Sequence, residues 1–329
     1  MRQKILEMLM DNMGNFISGE DMSDKLGVTR AAIWKHMDTL RNDGYNIESV
    51  PRKGYRLVNI PDTIDGHVIK WGLSTRVLGS EILSFSSLES TNMMAKEKAT
   101  DGCREGTVII ADEQTAGKGR MGRGWVSPTG KGIWMSIILK PSINPAKAPL
   151  ITSMAAVAVI RAIQSISGLH STIKWPNDIL IDGKKVCGIL TEMQGDMDSI
   201  HYVVVGIGLN VNLDEKDLQR ELRDKATSLK IELGNSVHRV EIVQAILTEL
   251  ESIYLYYMET GDPSDIITSI RDNSATVGNR IRVIGVNTSI EGTAIDIGDD
   301  GALVVKLDDG QIKRVMSGDV SVRGMKGYV

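Results

Sequence analysis

Apolar side chains in the first 44 residues recur at the spacing of amphipathic helices. Ile33, Met37 and Leu40 stand at i, i+4 and i+7, which places them on one face of a helix. Thr29 precedes this run as an N-cap, and Gly27 ends a shorter helical stretch before it. A helix, a tight turn with glycine and a second helix predict a helix-turn-helix.

Two short strand patterns, 45–50 and 55–58, follow and predict a hairpin with a basic tip at 51–54. Residues 29–57 contain six Arg or Lys and three Asp or Glu, a local excess of +3 in a chain with net charge −4. DNA binding is therefore expected only at this winged segment; the alternative is a small helical docking domain with a solvated charged face. The candidate DNA-contacting residues lie at the turn, on the polar helix face and at the hairpin tip: Thr29, Arg30, Trp34, Lys35, Arg41, Arg52 and Lys53.

Strand-like runs alternate with helical patterns over residues 83–271. Long apolar helices are predicted near 150–166 and 240–257, and turn signals at 182–183 and 195–196 predict hairpins. Successive hairpins with a few covering helices indicate a mixed, largely antiparallel sheet in an α+β fold and argue against a Rossmann fold. The predicted strands are 107–111, 133–138, 172–175, 178–181, 185–190 and 202–206.

Short strands separated by glycine-containing turns end the chain. They are predicted at 281–284, 291–297, 303–307 and 311–315, and their spacing is typical of a small β-barrel. A chain of 329 residues exceeds one ordinary hydrophobic core. We therefore expect three domains: the winged helix-turn-helix at 1–62, a central domain at 63–271 and the β domain at 272–329.

Composition is that of a globular protein, with 42% hydrophobic and 24% charged residues. No apolar run is expected to approach the ~18 residues needed to span a bilayer, so we expect a cytoplasmic protein without a membrane partner. Cys103 and Cys187 lie far apart, and the five histidines show no ligand spacing. Neither a disulfide framework nor a metal site is predicted.

The most distinctive stretch is 117–125, which packs four glycines, three cations and one tryptophan into nine residues. Glycines let successive backbone N–H groups turn toward an anion. Lys118, Arg120 and Arg123 add charged donors, and Trp125 adds a flat apolar face. An anion cradle beside an aromatic plate indicates a nucleotide or an acyl phosphate; the alternative is a flexible basic loop that only connects two strands.

Four further clusters carry polar side chains where chemistry could occur. Residues 90–92 place two hydroxyls and an amide before a helix, where a plain N-cap is the alternative reading. Gln114 precedes the glycine-rich stretch and could bind a ligand amide or only solvent. Residues 174–178 interrupt a strand pattern with a proline and polar groups, and Lys185 follows a tight turn that directs it back toward them. Asn210 ends a Gly-Ile-Gly-Leu-Asn strand and is a candidate reader of a base edge.

In this order the motifs closely resemble those of the bifunctional biotin–protein ligases that also act as biotin operon repressors. The resemblance covers essentially the whole chain. It comprises the winged helix, Ser90-Thr91-Asn92, Gln114, the glycine-rich stretch at 117–125, Lys-Trp-Pro-Asn-Asp at 174–178, Lys185 and Gly-Ile-Gly-Leu-Asn at 206–210. Lys118 and Met121 depart from the pattern, since the family often carries arginine at these positions, and Lys118 lacks the two-pronged guanidinium.

The resemblance implies a catalytic domain similar to class II synthetases and an SH3-like C-terminal barrel. It implies an ATP- and Mg²⁺-dependent enzyme that forms biotinyl-5′-AMP and transfers biotin to a lysine of a biotin carboxyl carrier protein. It also implies a repressor that binds operator DNA as a homodimer, with the adenylate as corepressor. A lipoate–protein ligase, or a biotin-sensing repressor with weak or lost ligase activity, are the alternatives.

Site residues follow from the same resemblance. Arg120 and Lys185 would be catalytic. Biotin would bind at Ser90, Thr91, Asn92, Gln114, Gly117, Lys118, Gly119, Arg120 and Lys185. ATP and the adenylate would bind at Arg123, Trp125, Asn177, Asp178 and Asn210. Metal ligands are not identified.

Overall fold

The computed structural model describes residues 1–284, 289–316 and 318–322. The chain divides into two compact units, Met1–Thr63 and Ile64–Val329. The predicted C-terminal domain at 272–329 therefore includes positions 285–288, 317 and 323–329, which lie outside the described residues.

The first unit is a winged helix-turn-helix, as predicted. Its elements are Arg2–Asp11 (α1), Gly19–Leu26 (α2), Arg30–Asn42 (α3), Asn46–Val50 (β1) and Gly54–Asn59 (β2), with β1 and β2 antiparallel. The Ser18 hydroxyl caps α2 by accepting from Glu20 N at 3.1 Å. The Thr29 hydroxyl caps α3 by accepting from Ala32 N at 3.2 Å. Gly27 ends α2 with φ 65°, a left-handed conformation that glycine adopts without a steric penalty. The apolar faces of the three helices form one buried core.

The second unit is built on a seven-stranded sheet. Its strands are Ile82–Phe85 (β3), Val108–Ala111 (β4), Gly132–Leu139 (β5), Thr172–Lys174 (β6), Asp178–Ile181 (β7), Lys184–Gly195 (β8) and Ile200–Asn210 (β9). The order across the sheet is β3-β4-β5-β9-β8-β7-β6. Only β3 and β4 run parallel; the other neighbours are antiparallel. The predicted mixed, largely antiparallel sheet is confirmed.

Helices cover both faces of this sheet. They are Gly66–Trp71 (α4), Thr91–Thr100 (α5), Pro149–Ser167 (α6), Leu229–Leu233 (α7), Arg239–Thr260 (α8) and Ser264–Asp272 (α9). Ala95 and Ala99 of α5 pack against Ile109, Ile138 and Val204. On the other face, Thr152 of α6 donates to the Thr191 hydroxyl of β8 at 2.8 Å. Because both faces are covered, all eight residues of β5 are buried.

One apolar segment is longer than expected. Residues 145–167 contain an 18-residue window with mean hydropathy 1.6, so the expectation that no run reaches this length was wrong. By length and composition this helix could cross a membrane, but 67% of the window is buried inside the structure. It is the central helix of the core and packs against α8, where small and apolar side chains suit close packing.

The C-terminal strands form a separate five-stranded antiparallel sheet. They are Arg280–Ile284 (β10), Ser289–Ile297 (β11), Leu303–Lys306 (β12), Ile312–Val315 (β13) and Asp319–Val322 (β14), in the order β13-β12-β11-β10-β14. The antiparallel strand pattern is confirmed in four of these strands. β14 was not predicted from the sequence.

Trp175 ties the C-terminal sheet to the central sheet. Its indole Nε1 donates to the Gly301 carbonyl at 3.0 Å, and its backbone N donates to the Thr276 hydroxyl at 2.9 Å. Beside it, Ile173 N donates to the Asn273 carbonyl at 2.8 Å. The segment 174–178 is therefore a structural junction as well as a candidate site segment.

Replacing Trp175 by Phe should keep most of the packing and remove the buried indole donor. The Gly301 carbonyl would lose its partner, and an unsatisfied buried acceptor costs about 1–3 kcal/mol. Urea unfolding should report this loss, and hydrogen exchange should rise first at residues 302–306. Unchanged stability and exchange would contradict the assigned junction.

Candidate functional site

A large cavity of about 980 Å³ lies on the face of the seven-stranded sheet that carries α5. This volume is at the upper end of the range for small-molecule sites. All fourteen residues predicted to bind biotin or the adenylate line it: Ser90, Thr91, Asn92, Gln114, Gly117, Lys118, Gly119, Arg120, Arg123, Trp125, Asn177, Asp178, Lys185 and Asn210. The fold thus brings together segments that are separated by up to 120 positions in sequence.

Glycines in β8 and β9 form the floor of the cavity. Gly188 and Gly208 are direct cross-strand partners. A Cβ atom on Gly208 would lie 2.7 Å from Trp125 Nε1, and one on Gly206 would lie 2.1 Å from Asn92 Oδ1. Both distances are shorter than any real contact permits, so glycine is required for the indole and the amide to lie against the strands.

A buried hydrogen-bond network occupies one end of the cavity. Gln114 Oε1 accepts from Thr91 N at 2.9 Å and from Thr91 Oγ1 at 3.1 Å. Its Nε2 donates to the Ser127 hydroxyl at 2.9 Å. The Ser136 hydroxyl lies 2.8 Å from Thr91 Oγ1 and 2.6 Å from Asn92 Oδ1. These contacts fix the rotamers and the amide orientations before any ligand binds.

Two members of this network were not predicted from sequence. Ser127 and Ser136 are buried, but each is a single hydroxyl without a recognisable motif around it. Ser90 lies at the N-cap position of α5, yet its hydroxyl makes no capping hydrogen bond. The alternative reading of residues 90–92 as a plain N-cap is therefore not supported for the Ser90 side chain.

Glu192 holds the Asn92 side chain in position through a hydrogen bond. Asn92 Nδ2 donates to Glu192 Oε2 at 2.8 Å and to the Leu190 carbonyl at 3.2 Å. Lys96 lies 2.7 Å from the other Glu192 oxygen. Burial alone would raise the pKa of Glu192, but the hydrogen bonds from Lys96 and Asn92 outweigh it and hold this pKa below its usual value. The carboxylate is thereby kept ionised as an acceptor.

The glycine-rich stretch closes on itself instead of running freely between strands. Trp125 N donates to the Gly117 carbonyl at 2.8 Å, and Gly119 N donates to the Arg123 carbonyl at 2.7 Å. A Cβ atom on Gly117 would lie 2.5 Å from the Trp125 carbonyl. The stretch is therefore a compact loop with its own hydrogen bonds, which disfavours the reading of a mere flexible connection.

Two cations of the site are held by consecutive residues. Arg120 Nη1 donates to Asn177 Oδ1 at 3.1 Å, and Lys185 Nζ lies 2.6 Å from Asp178 Oδ1. The Lys185 and Asp178 side chains are only 17% and 12% exposed. Lys185 Nζ is also 5.1 Å from the centre of the Trp125 ring. Asn177 and Asp178 thus place two positive charges on one wall of the cavity.

The segment 212–226 forms another wall. Asn210 Nδ2 donates to the Thr227 carbonyl at 3.0 Å. Lys185 N donates to the Lys225 carbonyl at 2.8 Å. Leu218 and Leu222 of this segment line the cavity. Asn210 therefore uses one amide hydrogen to hold the segment, and its side chain can form further hydrogen bonds at the cavity edge.

Cys187 precedes the floor glycine Gly188 on β8. Burial raises the pKa of the Cys187 thiol far above its usual value, so it is a poor nucleophile. Within 1–284, 289–316 and 318–322, no group of three or more His, Cys, Asp or Glu side chains could hold a metal ion.

The structure places the seven candidate DNA-contacting residues in different settings. Trp34 is 58% exposed, and Lys35, Arg52 and Lys53 are also exposed. Arg30 forms an ion pair with Glu20. Arg41 Nε donates to the Ile47 carbonyl at 3.0 Å, and the Thr29 hydroxyl caps α3. Trp34, Lys35 and the hairpin tip are therefore the better presented candidates.

Gly206→Ala should destabilise the protein by about 1–3 kcal/mol, because the added methyl overlaps the Asn92 side chain. Asn92→Ala removes the overlapping atoms, so the same glycine substitution should cost little in that background. Urea unfolding of the two single variants and the double variant measures the difference. Equal costs in both backgrounds would contradict the assigned contact.

Comparisons with known proteins agree with this architecture. Residues 84–210 match the Biotin/lipoate A/B protein ligase family, residues 1–56 match an HTH domain, and residues 276–323 match the Biotin protein ligase C terminal domain. The biotin protein ligase from Aquifex aeolicus, solved in complex with biotin and ATP, is similar at a TM-score of 0.64 and 28% identity. That likeness covers 74% of this chain and 99% of the Aquifex chain.

Similarity to two bifunctional proteins extends over nearly the full length. The Bifunctional ligase/repressor BirA of Escherichia coli (strain K12) is 27% identical over 94% of both chains. The Bifunctional ligase/repressor BirA of Bacillus subtilis (strain 168) is 42% identical over 323 residues, which is 98% of both chains. The chain belongs to the family of these bifunctional ligase/repressors.

Proposed function

We propose that this protein is an ATP-dependent biotin–protein ligase that also represses transcription. One observation supports the ligase activity. In a single cavity, the buried network around Thr91 and Gln114 lies beside two cations, Arg120 and Lys185, which are held by Asn177 and Asp178. In the first step the biotin carboxylate attacks the α-phosphorus of ATP and pyrophosphate leaves. In the second, a lysine amine of a biotin carboxyl carrier protein attacks the acyl carbon, AMP leaves and the amine loses a proton.

Biotin binds at the end of the cavity that holds the preorganised network. Ser90, Thr91, Asn92 and Gln114 supply hydroxyl and amide groups for the ureido ring. Their support by Ser127, Ser136 and Glu192 lowers the entropy lost on binding, because the side chains are already fixed. The backbone of residues 117–120, together with the Lys118 and Lys185 side chains, faces the carboxylate.

Arg120 and Lys185 provide the electrostatic stabilisation. The first step brings a carboxylate toward a polyanionic phosphate, so the repulsion between them must be offset. Two fixed cations in a partly buried cavity do this without reorganisation during the reaction. Asn177 and Asp178 act by orienting these two groups. Since positioning and charge stabilisation suffice for both steps, the inert Cys187 is consistent with the mechanism.

The adenosine half lies between the loop and the segment 212–226. Trp125 stacks on adenine, and Asn210 hydrogen-bonds to its edge. The indole already rests on the glycine floor, so its position is defined on one side. Arg123 lines the same cavity and adds positive charge near the phosphates.

Mg²⁺ enters with the nucleotide. This ion usually keeps several waters and is bound by one or two carboxylates plus substrate phosphates. Asp178 and Asp217 both line the cavity, and each is already paired with a lysine. The ion would therefore be held mainly by the substrate phosphates, with Asp178 and Asp217 as the carboxylates that line the cavity, and it would supply positive charge that shields the leaving pyrophosphate.

The repressor half uses the winged helix-turn-helix. Operator DNA meets α3 and the hairpin tip, and biotinyl-5′-AMP acts as corepressor by favouring a homodimer. Within the strand edge at Gly188 to Met193, the surface proposed for sheet extension begins at residue 190, because Ile189 N already donates to the Asn177 carbonyl at 2.9 Å. β7 pairs with β8 only as far as Gly188, which leaves residues 190–195 as an edge within the described part of the chain. We place the protein in the cytoplasm, with no membrane partner, and we retain the domain division 1–62, 63–271 and 272–329.

One assay distinguishes the proposed ligase from the two alternative functions. The protein is incubated with ATP, a carrier domain and either biotin or lipoate, and the carrier mass is measured. The proposal predicts a biotin-sized mass increase that requires ATP. A lipoyl increase alone would identify a lipoate–protein ligase, and no modification alongside biotin-dependent DNA binding would identify a sensor without ligase activity.

Arg120→Ala and Lys185→Ala should each lower biotin-dependent ATP–pyrophosphate exchange by about 10²–10³-fold, because each removes a fixed positive charge. Lys184→Ala is the matched control, since Lys184 neighbours Lys185 on β8 without lining the cavity. Circular dichroism checks that all variants fold. Exchange at the original rate in either alanine variant would refute its assigned role.

Operator binding should weaken steeply with salt, because lysine and arginine side chains displace counterions from phosphates. Lys35→Ala should reduce the slope of log K against log salt by about 1. Lys25→Ala, an exposed lysine on α2, is the control. A slope that Lys35→Ala leaves unchanged would remove this residue from the DNA-binding surface.

A further inference from the structure

Two chain segments cover the cavity, and they meet at Lys131. The first is the ligand loop, residues 113–131; the second is the wall segment, residues 212–226. Lys131 Nζ lies 3.0 Å from Asp214 Oδ2 and 3.0 Å from Asp217 Oδ2. Its backbone carbonyl accepts from Val211 N at 3.2 Å and from Asn212 N at 2.7 Å. One residue therefore holds the start of the wall segment through both its side chain and its backbone.

The side-chain contacts form a small network of alternating charges. Lys230 Nζ lies 2.6 Å from the other Asp214 oxygen. Asp214 N donates to Asp217 Oδ2 at 2.9 Å, which closes the turn at Glu215–Asp217. Hydrogen bonds donated by Lys230 and Lys131 lower the pKa of Asp214 to about 2, and the hydrogen bonds that Lys131 donates to Asp214 and Asp217 raise the pKa of Lys131. The charged forms of Lys131 and Asp214 are thereby favoured.

Both segments contribute to the same cavity. The ligand loop supplies Gln114, Arg120 and Trp125, while the wall segment supplies Leu218 and Leu222. Other contacts hold the wall segment at both ends: Ser228 Oγ donates to the Leu213 carbonyl at 2.7 Å and Lys230 pairs with Asp214, while Lys225 and Thr227 pair with the backbone of Lys185. Loss of the Lys131 contacts would therefore loosen the middle of the wall segment, at Asp217 and at Leu218 beside it.

The base of the ligand loop is fixed independently. Arg239 is 2% exposed. Its Nη1 donates to Asp112 Oδ1 at 2.6 Å and to the Gly132 carbonyl at 3.3 Å, so it clamps the two positions that flank the loop. Since Lys131 is next to this clamp, it offers the wall segment a rigid anchor. Arg239 itself is too buried for a clean test, whereas the Lys131, Asp214 and Asp217 side chains are 29%, 33% and 22% exposed.

We propose that Lys131 is a positioning residue that couples the ligand loop to the wall segment and so places the nucleotide side of the cavity. The proposal rests on the function given above. Lys131 joins the clamped base of the ligand loop to the wall against which ATP binds. Removing the contact leaves the biotin end intact. The wall segment must then become ordered when ATP binds, and the entropy lost in this ordering weakens ATP binding.

Lys131→Met tests this coupling, because methionine keeps much of the side-chain length without the charge. In biotin-dependent ATP–pyrophosphate exchange, the KM for ATP should rise about tenfold, in the range of typical coupling between sites. The KM for biotin and kcat should stay within about twofold, since the network at Thr91 and Gln114 is untouched. Lys131→Arg should restore the wild-type KM for ATP.

Further variants separate coupling from a general structural effect. Asp214→Asn should raise the KM for ATP in the same way, and adding it to Lys131→Met should produce less than the product of the two effects. Lys98→Met is the matched control, because Lys98 is 35% exposed and pairs with Asp101 on α5. Hydrogen exchange of the ligand-free protein should rise at 212–222 in Lys131→Met and stay unchanged in α6.

The outcomes distinguish failure of this proposal from failure of the function. No biotin-dependent exchange by the unmodified protein would refute the ligase function itself. An active protein whose Lys131→Met variant keeps the wild-type KM for ATP and wild-type exchange at 212–222 would overturn the coupling. Equal rises in the KM values for biotin and ATP would also overturn it, because they indicate a general loss of site structure.

Discussion

The glycine pair in β8 and β9 is the constraint on which the site depends. Side chains normally pack the space between a sheet and the helices that cover it. Here no side chain projects into that space where Gly188 faces Gly208. Asn92 and Trp125 occupy the space that Cβ atoms would take at 206 and 208. The cavity therefore exists because the middle of a rigid sheet lacks side chains, and its floor is as firm as the core beneath it.

The two cations on the cavity wall are held in nearly fixed positions. Consecutive residues 177 and 178 orient Arg120 and Lys185, so a single short segment sets the separation of the two cations. The same segment contains Trp175, which bonds to the C-terminal sheet. The C-terminal domain thus fixes the strand end that holds the cations, and it also contacts one of them, because Arg120 Nη1 donates to the Gly318 carbonyl at 3.3 Å. Fixed charges and dipoles of this kind stabilise a transition state without the cost of reorganisation.

Much of this arrangement was predictable from local patterns, and the rest required the fold. The Thr29 cap, Gly27 and the apolar spacing of 33, 37 and 40 predicted the helix-turn-helix, because caps and periodicity act within a few residues. The glycine-rich loop and residues 174–178 stood out for the same reason. Ser136 and Glu192 did not, since a single polar residue in a strand has no local signature. The Lys131–Asp214 contact joins positions 83 apart, and only the sheet topology brings them together.

The central claim is that one ligand spans the cavity, with its biotin part at Gln114 and its adenine on Trp125. The most direct test is a crystal structure with a non-hydrolysable analogue of biotinyl-5′-AMP. We predict that the atoms replacing the acyl phosphate lie within hydrogen-bond distance, ~3 Å, of both Arg120 and Lys185. An analogue bound with its phosphate mimic away from both cations, or outside this cavity, would contradict the account.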